Sequence, residues 1–194
     1  LGHADASLDL QVATAVRRAV GPNIALMVDY NQALTVADTV ARARALEPLD
    51  IYWIEEPVRH ANYAGYAQLK ASLQQPVQLG ENFDGPEAVH DALSAGAADM
   101  VMLDAARIGG VTGWMRGVAI ADAHGMEVSS HLFPEISIHL LAATPGAHWL
   151  EYVSWADVIL QEPMVIEKGN ARPPQRPGLG LQWCAKGLAK YSVS

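Results

Sequence analysis

The sequence predicts an α/β fold, an incomplete TIM-type barrel that ends in an irregular tail. Two observations lead to this prediction. Helical and strand-like segments alternate along the chain, and the strand candidates are short apolar runs of the kind that buried parallel strands show. About six strand–helix units are visible in the 194 residues, whereas a complete barrel of eight units needs roughly 250 residues.

Local patterns place the elements in order. Apolar residues recur at helical spacing over 5–20, and Gly21-Pro22-Asn23 ends that helix. Thr35 is a suitable N-cap for the next helix, which extends to position 46. Pro86 suits the first turn of a helix over 86–95. Further helices are predicted at 63–73, 112–124 and 135–143, and strands at 24–28, 51–54, 77–79, 100–103, 127–129 and 148–150.

Composition excludes several functional classes. A formal net charge of −8 argues against a nucleic-acid partner, and no apolar run approaches the roughly 18 to 20 residues of a membrane span. A hydrophobic content of 51% is enough to bury a core. Cys184 is the single cysteine, so this chain holds no internal disulfide, which agrees with the cytoplasmic location that we predict.

Ionisable residues follow the predicted strands at intervals of 20 to 27 residues, about one strand–helix unit each. In a parallel α/β barrel the carboxyl ends of all strands converge on one face, where catalytic groups lie. We therefore expect six side chains to share one mouth: Asp29, Glu55, Glu81, Asp104, His131 and Glu151.

The residue types at these positions indicate a metal site and an acid–base site. Asp29, Glu55 and Glu81 would repel one another unless a cation neutralised them, and their hard oxygen ligands favour Mg²⁺, with Mn²⁺ possible. Asp104 and His131 follow successive strands, so the carboxylate can orient the imidazole and raise its basicity. Glu151 can stay protonated near apolar neighbours and donate a hydrogen bond.

Each residue also has a simpler interpretation. Asp29 suits a turn, Glu55 can open a helix, Asp104 can cap one, and Glu151 can be a surface acid. His131 taken alone is more typical of a hydrogen-bonded structural histidine. The collective pattern favours a site, because chance would have to place a titratable group at six successive strand ends.

Several segments around these residues resemble the mandelate racemase and muconate lactonizing branch of the enolase superfamily. The resemblance runs from about Leu8 to Tyr191, and the last two segments point more narrowly to the mandelate racemases. The matching segments are Met27-Val28-Asp29-Tyr30-Asn31-Gln32, Trp53-Ile54-Glu55-Glu56-Pro57, Gly80-Glu81-Asn82, Asp104-Ala105 with Ile108-Gly109-Gly110-Val111-Thr112-Gly113-Trp114, Leu140-Leu141-Ala142-Ala143-Thr144-Pro145, Ser129-Ser130-His131-Leu132-Phe133 and His148-Trp149-Leu150-Glu151.

The resemblance implies a (β/α)7β barrel of which this chain carries strands three to eight. It implies a partial barrel domain over 1–151, and over 152–194 the end of that domain with a tail packing against an absent capping domain. It also assigns roles: an acidic triad that binds Mg²⁺ with Asn31 and Asn82 as polar support, His131 as a general base paired with Asp104, and Glu151 as hydrogen-bond donor to the developing oxyanion.

Two departures from the family pattern stand out. Arg107 occupies a position where the family has lysine, which keeps the charge and changes the geometry. This exchange either tunes the Asp104–His131 pair or is neutral, and we favour the neutral interpretation. The family's Lys-x-Lys motif, which supplies the second base, would end immediately before Leu1, so we expect the chain to be a C-terminal fragment.

We therefore predict a Mg²⁺-dependent racemase that removes the proton α to the carboxylate of a mandelate-like 2-hydroxy acid through an enediolate. The predicted partner is a small carboxylate substrate, and the full-length protein is expected to form a homo-oligomer. One alternative is an acid-sugar dehydratase on the same scaffold, in which a β-hydroxyl leaves. The other is an inactive metal-binding fragment without the lysine motif and the capping domain.

Overall fold

The computed structural model describes residues 1–192; positions 193 and 194, the end of the predicted tail, lie outside the described residues. Six strands form one parallel sheet in sequence order: β1 (Leu26–Asp29), β2 (Ile51–Glu55), β3 (Val77–Leu79), β4 (Met100–Asp104), β5 (Val128–His131) and β6 (Ala147–Leu150). Seven α-helices lie within the described part: α1 (Ala6–Val20), α2 (Val36–Leu46), α3 (Tyr63–Ser72), α4 (Pro86–Ser94), α5 (Gly110–Ala123), α6 (Pro134–Ala142) and α7 (Ala185–Tyr191).

Strand–helix alternation curls the sheet into a half-barrel, which confirms the predicted fold class. Each strand pairs in parallel with the next one along the chain, so all six carboxyl ends point to the same side. The register places Asp29 opposite Glu55 and Asp104 opposite His131. The backbone pairing of the strands is thus sufficient to place these ionisable residues side by side.

The core lies between the sheet and the helices that cover it. Strand side chains such as Leu79 and Leu103 are fully buried, and Trp114 of α5 packs into the same cluster with no exposed surface. The Trp114 Nε1–H donates to Thr144 Oγ1 at 3.0 Å, so its single polar atom is satisfied inside the core. This layer fixes β4 against α5 and thereby the position of Asp104.

A buried ion cluster fastens the start of the chain to α1 and α2. The Asp9 carboxylate accepts hydrogen bonds from the Gly2 and His3 backbone N–H groups and from the Arg42 guanidinium. Burial opposes ionisation, but the His3 imidazole, whose Nδ1 is 2.6 Å from Asp9 Oδ1, and these other bonds outweigh it and lower the pKa of Asp9 to about 2. The anchor leaves the Leu1 amino group 2.7 Å from the Asp29 carbonyl oxygen, next to the mouth of the half-barrel.

The starts of β1 and α5 and the end of β5 differ from the predicted positions by two residues, and the other bounds differ by at most one. β1 begins at Leu26, two residues late, because Ile24 is 55% exposed and lies outside the sheet. α5 begins at Gly110, two residues early: Gly109 and Gly110 take left-handed φ values in the turn, and glycine carries no apolar signal that would reveal the first helical turn. Two short 3-10 helices, Glu47–Leu49 and Asp157–Ile159, were not predicted.

The tail is mostly irregular, as predicted, but it ends in helix α7. An antiparallel bridge between Leu160 and Trp183 brings this helix back onto the 3-10 turn. A Cβ at Gly187 would lie 2.2 Å from the Val158 carbonyl oxygen, so the two backbones touch there. Periodicity could not reveal a helix this short. Packing of the tail against a further domain stays a prediction.

No helix within residues 1–192 is long and apolar enough to cross a membrane.

Trp114→Ala is expected to lower the free energy of unfolding by about 3–5 kcal/mol, because it removes a large, fully buried side chain and leaves a cavity. The matched control is Val111→Ala on the same helix, where the side chain is 62% exposed and the loss is expected to stay below about 0.5 kcal/mol. Chemical denaturation of the protein measures both. Equal losses for the two variants would contradict this account of the core.

Candidate active site

Three carboxylates meet at the carboxyl ends of neighbouring strands. Asp29 ends β1, Glu55 ends β2, and Glu81 follows β3 after one glycine. They offer one ligand atom each, and these atoms all lie within 4.8 Å of one another. Gly80 allows the close approach: its φ is 133°, and a Cβ there would lie 2.5 Å from the Met102 carbonyl oxygen. The structure thus brings the predicted triad together.

The triad is electrostatically unfavourable without a cation. Burial first, and then the charges of Asp29 and Glu81, raise the pKa of Glu55 to about 8. Burial also raises the pKa of Asp29 and of Glu81, against the opposing effect of their hydrogen bonds and of His131. Near neutral pH such a cluster holds either protons or a positive ion.

The donor set fits a hard divalent cation. Three carboxylates from rigid strand ends supply oxygen atoms only, which suits Mg²⁺ or Mn²⁺, and leave further coordination positions for water or a ligand. A divalent ion would also offset the burial that raises all three pKa values and the carboxylate charges that add to it at Glu55 and Glu81. Asp29, Glu55 and Glu81 are therefore the residues that would hold Mg²⁺.

Neighbouring side chains orient the carboxylates. Trp53 Nε1–H donates to Glu55 Oε2 at 3.1 Å, and Gln78 Nε2–H donates to the same oxygen at 3.3 Å. Asn31 donates its backbone N–H to Asp29 Oδ1 at 2.8 Å and its side-chain amide to Oδ2. Hydrogen bonds of this kind fix the direction of metal ligands.

On the other side of the triad, Asn82 Nδ2 donates to Glu81 Oε1 at 3.1 Å. Asn31 and Asn82 thus lie where polar support of the triad was predicted.

A carboxylate–imidazole pair lies beside the triad. His131 Nδ1 is 2.8 Å from Asp104 Oδ2, and its Nε2 is 3.4 Å from Glu81 Oε2. Asp104 is only 3% exposed, and its carboxylate can accept a hydrogen bond from Nδ1–H; in that tautomer Nε2 is the nitrogen that can take up a proton. The basic nitrogen therefore faces the carboxylate triad.

Asp104 serves a second purpose with its other oxygen. Oδ1 accepts the backbone N–H groups of Ala106 at 2.7 Å and Arg107 at 2.9 Å, which closes the turn after β4. The simpler interpretation of Asp104 as a helix cap is replaced by this turn, because α5 begins only at Gly110. The Arg107 side chain is exposed, and its charge offsets a small part of the rise that burial causes in the pKa of Glu81.

Glu151 is tied to the residue that follows His131. Its Oε2 accepts the Leu132 backbone N–H at 2.6 Å, and its own backbone N–H donates to Ser130 Oγ at 3.2 Å. Leu132 and Phe133 both have left-handed φ values, 49° and 44°, which bulky residues rarely adopt. Backbone strain of this kind is concentrated at functional sites.

Two buried polar residues of the site escaped the sequence predictions. Gln78 lies inside β3 with no exposed surface and contacts Glu55, and Glu56 is equally buried beside Asn82. A signal existed for Gln78, because it is the one polar residue within an apolar run. For Glu56 the signal was its place next to Glu55. The simpler interpretation of this segment as the start of a helix is wrong, because the next helix begins only at Tyr63.

Residues 1–186 match the family model described as enolase C-terminal domain-like. The chain belongs to this family. Its relatives include dehydratases, cycloisomerases and a racemase. The fold that the resemblance implied is therefore confirmed, while the narrower likeness to mandelate racemase is not.

Solved structures of this family hold Mg²⁺. An enolase from the alpha proteobacterium bal199, with bound Mg, is 49% identical with a TM-score of 0.93 over 98% of this chain and 52% of its own. An enolase from Bradyrhizobium in complex with magnesium and mandelic acid is 40% identical with a TM-score of 0.94 over 100% of this chain and 54% of its own. These structures confirm the predicted cofactor at the level of the family.

A curated relative carries a different activity. L-talarate/galactarate dehydratase from Salmonella typhimurium is 32% identical over 181 residues, which are 93% of this chain and 46% of the dehydratase. The chain thus spans about half the length of the relatives that it matches.

Mg²⁺ is expected to stabilise the protein more at about pH 8.5 than at about pH 6. The pKa of Glu55 rises in the folded state from 4.5 to about 8, so without metal its contribution to stability is present below 4.5 and is lost as the pH rises through about 8. At higher pH the cation competes with fewer protons. Thermal unfolding with Mg²⁺ and with a chelator measures this, and an equal Mg²⁺ effect at both pH values would contradict it.

Proposed function

We propose that the protein containing this chain is a Mg²⁺-dependent racemase that removes the proton α to the carboxylate of a mandelate-like 2-hydroxy acid. The observation that carries this proposal is the position of His131, whose Nε2 faces the carboxylate triad while its Nδ1 is held by Asp104. The complex of the 40% identical Bradyrhizobium relative with mandelic acid supports the substrate class.

The metal site and the base have complementary tasks in this proposal. Bound Mg²⁺ would act as a Lewis acid that stabilises negative charge on a carboxylate substrate. Asp29, Glu55 and Glu81 would hold it at the place that His131 Nε2 faces. Abstraction of an α-proton is then favoured, because the base and the charge-stabilising group act on the same bound molecule.

Asp104 prepares His131 for this task. Its Oδ2 keeps the proton on Nδ1 and stabilises the imidazolium that forms when Nε2 takes a proton. The turn bonds to Oδ1 hold the carboxylate in place, so the ring keeps its orientation. Arg107 contributes a positive charge that acts on Glu81.

We assign Glu151 the stabilisation of the developing oxyanion. The Leu132 N–H already binds one of its oxygens, which fixes the carboxyl group beside the His131 loop. When protonated, the carboxyl group can donate a hydrogen bond from its other oxygen.

Racemisation also needs a second base on the opposite face of the planar enediolate. We propose that the Lys-x-Lys motif of the family supplies this base in the protein that contains this chain.

An acid-sugar dehydratase is the second candidate, and the likeness to L-talarate/galactarate dehydratase favours it. The first step is the same, because His131 would again remove an α-proton. The pathways then diverge: loss of the β-hydroxyl gives an enol that becomes a 2-keto acid, whereas return of the proton gives the other enantiomer.

His131→Asn is expected to lower racemisation by about 10²–10⁴-fold, because the general base is lost. We expect exchange of the α-proton with solvent deuterium to survive for the enantiomer served by the second base. Polarimetry and proton NMR of the intact protein with each mandelate enantiomer measure the two effects. His124→Asn, an exposed histidine at the end of α5, is the control. Surviving exchange of the enantiomer assigned to His131 would refute the assignment.

Product analysis is expected to separate the two candidate functions. Incubation with mandelate should yield the opposite enantiomer, and incubation with a six-carbon diacid sugar should yield no 2-keto acid that a carbonyl reagent traps. The reverse result would replace the racemase proposal by the dehydratase proposal. The metal triad and His131 would keep their roles in either case.

A further inference from the structure

Glu56 is a fourth carboxylate beside the candidate metal centre, and one Asn82 amide links its side chain to that of Glu81. It is 0% exposed, and the ligand group that lies within 4.8 Å contains Asp29, Glu55 and Glu81 but not Glu56. A buried carboxylate that binds no metal needs hydrogen-bond donors. The hydrogen-bond donors of Glu56 identify the loops that it contacts.

The Glu56 side chain binds the loop that carries Glu81. Its Oε2 accepts from Asn82 Nδ2 at 2.7 Å, and its Oε1 is 3.5 Å from the Gly80 backbone nitrogen. Asn82 Nδ2 also donates to Glu81 Oε1 at 3.1 Å, so one amide links the two carboxylates. The position of Glu81 relative to β2 therefore depends on Glu56.

The Glu56 backbone binds the loops on either side. Its carbonyl oxygen accepts the Gln32 N–H at 2.6 Å, which ties in the loop that follows Asp29, and its own N–H donates to the Gln78 carbonyl oxygen at 3.1 Å. The residue has a left-handed φ of 33°, a conformation that costs about 1–3 kcal/mol and persists where surrounding bonds determine it.

We infer that Glu56 is a positioning residue for the metal centre: it joins the loops of all three ligands and sets the distance between Glu55 and Glu81. Its carboxylate is outside the group of three whose oxygen atoms can hold one ion. The inference rests on the metal site alone and holds for a racemase and for a dehydratase.

The test measures Mn²⁺ affinity of the intact protein, because the EPR signal of free Mn²⁺ reports binding without any substrate. Glu56→Gln and the charge-conserving Glu56→Asp are both expected to raise the Kd by about 10- to 100-fold. Aspartate keeps the charge but is too short to reach Asn82, so a purely electrostatic role would leave its affinity unchanged. Glu87→Gln removes an exposed charge of α4 and is expected to change the Kd by less than about two-fold.

A double-mutant cycle separates positioning from general loss of structure. Asn82→Ala removes the other end of the link and is expected to raise the Kd as well; it also serves if the Glu56 variants do not fold. In Glu56→Gln/Asn82→Ala the Kd should equal that of Asn82→Ala, because the same link is already gone. Wild-type Mn²⁺ affinity in the folded single variants, or effects that multiply in the double variant, would overturn the inference. If the wild type does not racemise mandelate but the Mn²⁺ Kd values follow the expected pattern, the result contradicts the proposed function and leaves this inference standing.

Discussion

Repulsion among three carboxylates is the constraint on which this half-barrel depends. Parallel pairing in sequence order brings Asp29, Glu55 and Glu81 together, because each of them lies at or just beyond the carboxyl end of its strand. Burial then makes three negative charges unfavourable, as the pKa of about 8 at Glu55 indicates. Binding of protons or of a cation reduces this unfavourable negative charge, so the fold creates a site that favours a positive ion.

The loops that follow the strands carry the strain that this convergence requires. Left-handed φ values occur at Asn31 and Gln32 after β1, at Glu56 after β2, and at Leu132 and Phe133 after β5. None of these residues is glycine, so hydrogen bonds from neighbouring loops must maintain the conformations. These are five of the seven non-glycine residues with left-handed φ values in the described part of the chain, and all five lie at the carboxyl-end face. Rigid strands and strained loops together hold the site in one arrangement.

Much of the fold and of the site could be predicted because the governing signals are local. Apolar runs marked the strands, and a charged residue directly after a run marked each strand end, so the six expected residues lie at or beside the carboxyl ends of the six strands. The start of β1 was predicted too early, because the exposure of Ile24 depends on tertiary packing. The helix α7 was missed, because the contact between Gly187 and Val158 depends on it as well. Glu56 gave only a weak signal, its place next to Glu55, because an acid beside another acid is common on surfaces.

The sequence by itself determined the fold class, the order of the strands and the oxygen-rich donor set, because periodicity and residue type decide which segments are buried and which atoms can bind a hard cation. Only the tertiary structure decided which oxygen faces which partner. It gave Asp104 two tasks, one for each oxygen, and it made Glu56, which the sequence predictions had not singled out, a buried link between loops. The physical reason is that a hydrogen bond depends on the distance between two atoms, and that distance between remote residues exists only once the strands are paired.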